Sequence, residues 1–98
     1  MYEIVWEYEV RAELVAAFAA LYGAEDDWAR LFRRGDGYVE TRLYRDTARP
    51  MLYLTIDRWV SRAAYEAFVQ TAGPDYAALD RRGDALTVRE RRVGAFGG

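Results

Sequence analysis

The sequence predicts an α+β fold: β-α-β, then β-α-β, forming one four-stranded antiparallel sheet with helices on one face. Three observations lead there. Period-2 and helical hydrophobic patterns alternate along the chain in that order. The two halves repeat weakly: "RAELVAAFAALYG" (11–23) and "RAAYEAFVQTAG" (62–73) align Phe18 with Phe68 and Gly23 with Gly73, and "RRGD" follows each copy, at 33–36 and 81–84. Two of the strand patterns are apolar and two are charged, as central and edge strands should be. This is the ferredoxin-like arrangement, and it accounts for residues 1–98 as one domain.

The first strand, 2–9, alternates Tyr2, Ile4, Trp6 and Tyr8 with Glu3, Val5, Glu7 and Glu9. Leu14, Phe18 and Leu21 then share one face of a helix over 12–22. Trp28, Leu31 and Phe32 mark an extra helix over 25–34. "GDG" at 35–37 reads as a turn into the charged second strand, 37–46. The third strand, 51–59, reads "MLYLTIDRW" and is apolar at nearly every place, which makes it central. Ser61 is the N-cap of a helix over 62–72 that turns Tyr65, Phe68, Val69 and Ala72 inward. Pro74 opens a short last helix, 75–82, marked by Tyr76 and Leu79. The fourth strand, 85–93, is charged again. Its "RERR" puts Arg89 and Arg91 on one face, where pairing with Glu3, Glu7 or Glu9 is expected. The two "RGD" copies read as helix exits, with Arg favoured by the helix dipole and Gly at the C′ position.

Periodicity leaves the faces of the third strand open. If Leu52, Leu54 and Ile56 face the helices, then Tyr53, Thr55, Asp57 and Trp59 face the other way. Covering roughly a few hundred Å² of such apolar surface, at ~25 cal/mol per Å², contributes several kcal/mol. A two-fold homodimer with sheets face to face is the simplest cover.

Composition removes several kinds of chemistry. Hydrophobic residues are 52% and aromatics 15%, which is an ordered core rather than a disordered chain. The net charge of −2 argues against nucleic acid. All 14 basic residues are Arg, so no lysine can form a Schiff base. There is no Cys, no His and no Asn. That removes disulfides, thiolate nucleophiles, imidazole acid–base work and most metal sites, so none of these cofactor sites is expected. Proton transfer must fall to Asp, Glu, Tyr or water. Met-Tyr-Glu-Ile runs straight into a strand pattern, and no long apolar segment follows, so a cytoplasmic protein without membrane contact is expected.

Two groups of residues stand out. The aromatics exceed what packing needs, and a cavity lined by Trp28, Phe32, Trp59, Phe68 and Tyr76 would suit a flat aromatic ligand. Their plain alternative is core and dimer interface. Asp57 lies between Ile56 and Trp59 at the exit of the third strand. In apolar surroundings its pKa would rise, making it a base near neutral pH. The plainer reading, favoured on sequence alone, pairs it with an Arg across the sheet or the dimer.

The stretch "YLTIDRW-S-AAYEAF", from Tyr53 through Ser61 to Phe68, resembles the antibiotic biosynthesis monooxygenase family of dimeric α/β-barrel proteins. "DWARLFRRGDGYVETRLYRD" (27–46), "YAALD" (76–80) and "LTVRERRVGAF" (86–96) extend the likeness. The resemblance implies a homodimer whose sheets form a barrel, and a pocket between sheet and helices in each subunit. It implies a cofactor-independent monooxygenase on aromatic or polyketide-type small molecules, the substrate itself giving electrons to O2. Asp57 and Tyr65 are then the catalytic candidates. The haem-degrading branch uses a His iron ligand, an Asn and a Trp. Here the Trp place holds Phe68 and the His place falls near Leu79 or Asp80, so haem degradation of that type is not expected. A non-catalytic binding or structural dimer of the same fold is the alternative.

Overall fold

The computed structural model describes residues 1–97. Strand β1 (Tyr2–Val10) leads through a 3-10 turn (Ala12–Leu14) into α1 (Val15–Tyr22) and α2 (Asp27–Phe32). A hairpin of β2 (Tyr38–Arg45) and β3 (Leu52–Trp59) follows, then α3 (Arg62–Asp84) and β4 (Thr87–Gly97). The four strands are antiparallel to their neighbours in the order β2-β3-β1-β4. The two apolar strands are central and the two charged ones are edges, as their composition requires.

Ser61 accepts a hydrogen bond from the Ala64 amide at 3.1 Å and so caps α3. The two helices expected over 62–72 and 75–82 run on as α3, broken at Gly73, whose φ of 47° lies outside the helical region. Pro74, which has no N–H to give the preceding turn, fixes the break there. β4 starts later and runs further than its charge pattern indicates. It continues past a register shift opposite Val5 and Trp6, and it pairs Ala95 with Ile4.

The register settles the faces of β3. Asp57 pairs with Ile4, Thr55 with Trp6, Tyr53 with Tyr8 and Trp59 with Tyr2. These residues point toward the helices, where Phe18 packs on Tyr8 and Tyr53 and Phe68 packs on Trp59. The assignment that turns Leu52, Leu54 and Ile56 toward the helices is therefore inverted. The aromatic set wins the covered face because its rings bury more area per residue. Leu54, Ile56 and Val5 lie on the open face, half-buried among charged neighbours. Arg91 reaches Glu7 at 3.4 Å and Arg89 reaches Glu9 at 4.0 Å there. Glu3 pairs instead with Arg58, at 2.8 Å.

The glycines of the two "RGD" copies have a different reason from the one expected. Gly83 lies inside α3, and Ala85 is the cap. A Cβ on Gly83 would stand 2.2 Å from the Tyr22 hydroxyl. A Cβ on Gly35 would stand 2.9 Å from the Trp59 ring. Both are glycine because aromatic rings press on their backbone.

Candidate functional site

Between the covered face of the sheet and the helices lies a cavity of about 50 Å³. Aromatic rings form most of its wall: Trp6 and Tyr8 from β1, Tyr22 from α1, Trp28 and Phe32 from α2, and Tyr76 from α3. The polar part of the wall is Thr41, Thr55, Asp57, Asp80 and Glu90. No arginine lines it among the described residues.

Asp57 is brought to this wall by strand parity. Its neighbour Arg58 points to the open face and bonds Glu3 and Glu40 there. Asp57 has no such cation. It accepts a hydrogen bond of 2.8 Å from the Thr41 hydroxyl, which faces it across β2–β3. Tyr38 lies 2.7 Å from the same Thr41 oxygen. Because the Thr41 hydrogen is directed to the carboxylate, the Tyr38 hydroxyl donates to Thr41. Within the subunit, this hydroxyl chain stands where the ion pair across the sheet is expected for Asp57. Burial pushes the Asp57 carboxyl up to about 7, and the bond from Thr41 holds it back from rising further. Its residual accessibility accompanies a place on the cavity wall, and the protein otherwise encloses it.

The tyrosines do not compete with it as bases. Burial pushes the hydroxyls of Tyr8, Tyr22, Tyr65 and Tyr76 above their ordinary value, so they stay protonated at neutral pH and act as donors. Trp28 adds a buried indole N–H with no partner among the described residues. At one side of the cavity Glu90 and Asp80 meet Asp84, with carboxylate oxygens within 4.8 Å of one another. Loss of water raises the Glu90 carboxyl, and the charges of Asp84 and Asp80 raise it further.

Of the residues singled out from sequence, the structure brings Asp57, Trp28, Phe32 and Tyr76 together on one wall. Trp59 and Phe68 lie one layer behind, as fully packed core against Phe32. Tyr65 lines a separate outer groove with Tyr2, Arg62 and Arg92. Trp6, Tyr8, Tyr22, Thr41, Thr55, Asp80 and Glu90 are the wall residues that sequence reading missed. Thr41 carried no sequence signal of its own, since its role comes from standing opposite Asp57 in the strand pairing.

A family model described as antibiotic biosynthesis monooxygenase matches residues 1–79. Among solved structures, SnoaB from Streptomyces nogalater, described as a cofactor-independent oxygenase, superposes in its N63A form with a TM-score of 0.77. The two are 22% identical over 99% of this chain and 91% of that one. A Deinococcus radiodurans protein described under the same family name has a TM-score of 0.79 at 18% identity, over 100% of this chain and 92% of its own. At these identities the likeness is one of fold. No curated protein matches in sequence. No helix among the described residues is long and apolar enough to cross a membrane.

Proposed function

The chain belongs to the antibiotic biosynthesis monooxygenase family, and we propose that it is a cofactor-independent oxygenase of phenolic or polyketide-type aromatic molecules. The observation that supports this most is Asp57: an enclosed carboxylate with no counter-cation, poised near neutrality on the wall of an aromatic cavity.

The chemistry follows from that placement. A phenol or an activated C–H next to an aromatic ring gives its proton to the Asp57 carboxylate. The resulting anion is electron-rich and reduces O2. One oxygen atom enters the product and the other leaves as water, so the substrate supplies all the electrons. Stacked rings orient the substrate, and the Trp28 N–H offers a donor to a substrate oxygen. The rings on the inner side of the cavity limit the water that can reprotonate the anion. Asp57, Asp80 and Glu90 with no cation on the wall select for neutral or cationic ligands and against carboxylated ones.

A homodimer belongs to the same reading. Val5, Leu54 and Ile56 on the open face, with the exposed rings of Tyr44 and Phe96, give a second sheet an apolar patch to cover.

The small volume favours one competing reading, a binding or structural dimer without turnover, since ligand pockets run to ~300 Å³ or more. Oxygen uptake separates the two. Wild-type protein with hydroquinones and anthrones should consume O2, and Asp57→Asn should not. Uptake equal in Asp57→Asn removes Asp57 from the mechanism. No uptake with any substrate that quenches tryptophan fluorescence favours the binding module.

A further inference from the structure

Asp57 is held through one oxygen only. Oδ1 takes the Thr41 hydrogen bond, and Thr41 itself is buried, at 4% exposure. Behind Thr41 stands Tyr38, which is not on the cavity wall. The far end of the chain is set among exposed charges, since the Tyr38 hydroxyl feels both Arg33 and Glu25, which form an ion pair with each other. Among the described residues, the titratable groups that meet Asp57 from the other packed elements are tyrosines and carboxylates, not arginines. Tyr8 faces it from β1, Tyr65 and Tyr76 from α3, and Asp80 and Glu90 share its cavity. The two hydroxyls of β2 are therefore the stabilising partners of the ionised form.

We propose that Thr41 and Tyr38 are positioning residues that act as one unit with Asp57, holding Oδ1 so that Oδ2 faces the cavity and favouring the ionised carboxylate on a wall that has no cation among the described residues. Tyr38 strengthens the Thr41 donor, because a hydroxyl that accepts a bond donates a better one. The chain also follows the carboxyl through protonation. When Asp57 gains a proton and a carboxyl rotation brings it to Thr41, both hydroxyls can turn over and the chain points outward. The proposal rests on Asp57 being the base of the reaction above, but it concerns ionisation, which is measurable without turnover.

The test is a carboxyl-carbon NMR titration of Asp57 in the whole chain, in wild type and in Thr41→Val, Thr41→Ser and Tyr38→Phe. Thr41→Val should raise the Asp57 midpoint by about one pH unit, a tenfold change in its ionisation constant. Tyr38→Phe should raise it by a smaller amount, and Thr41→Ser should restore the wild-type value. Tyr38→Phe leaves the buried Thr41–Asp57 bond in place, so it reports even if Thr41→Val fails to fold. Midpoints unchanged in Tyr38→Phe, and in Thr41→Val where it folds, overturn the proposal. With hydroquinone as probe, the pH profile of oxygen uptake in the raised variants should move to higher pH in step with the titration, with a lowered plateau in Thr41→Val, which loses the bond that orients the carboxylate. A shifted titration with no uptake at any pH keeps this unit and discards the oxygenase reading. An unshifted titration with normal uptake does the reverse.

Discussion

Asp57 and Arg58 are neighbours in sequence and occupy opposite environments. Arg58 lies on the open face of the sheet, bonded to Glu3 and Glu40. Asp57 lies on the covered face, and its partner is a neutral hydroxyl. The open face matches each charge with its opposite, which keeps the strands in register at little cost. The covered side leaves Asp57, with Asp80 and Glu90 at the cavity's edge, without a cation among the described residues, and burial of such a carboxylate is costly. That contrast is what the proposed role of Asp57 rests on.

The sharpest way to break the contrast is Asp57→Asn. Oxygen uptake with a phenolic substrate should fall by about 100-fold or more, since a positioned general base contributes roughly 100- to 10,000-fold. The same substitution should stabilise the fold. The folded carboxyl sits at about 7 against an ordinary 3.8, so the folded chain holds that proton more tightly than the unfolded chain. The advantage is complete below about 4 and is lost as pH rises through about 7. Asp57→Asn should therefore be more stable than wild type by about 2–4 kcal/mol at pH 8, and equal to it at pH 4, by chemical denaturation.

Phe32→Ala probes the wall that surrounds that charge. It should cost about 3–5 kcal/mol and abolish fluorescence quenching by aromatic ligands, because Phe32 packs on Trp28, Trp59 and Phe68. On the other face, Ile56→Glu should leave the fold intact and yield a monomer in sedimentation, where wild type should give the proposed dimer. Arg91→Ala should be the mildest change, about 0.5 kcal/mol or less in thermal unfolding, since its pair with Glu7 is largely exposed.

The distribution of charge among strands made the sheet order legible, because edges need Arg and Glu and centres do not. Ser61 and Pro74 made the ends of α3's two parts legible, since each acts through a single local bond. The faces of β3 were not legible, because "LYLTID" is apolar at both parities and only the packing of rings decides between them. Thr41 was out of reach for a related reason: its role depends on standing opposite Asp57, and register is a property of two strands. Gly83 looked like an ordinary helix end because the ring of Tyr22 that explains it lies 61 residues earlier. Asp57 was legible as an oddity, but its freedom from arginine was not, since 14 arginines in the chain made a partner the natural expectation.

The break at Gly73 turns α3 into two levers. The first is anchored in the core by Phe68; the second carries Tyr76 and Asp80 to the cavity. Two latches fasten the second lever to the neighbourhood of α2: Asp75 to Arg34 at 2.6 Å, and Arg82 to Asp27 at 2.8 Å. Both latches lie at the surface, where dissolved ions weaken them. If these latches limit access to the cavity, uncharged aromatic ligands should enter faster as salt is raised, which stopped-flow tryptophan quenching would read.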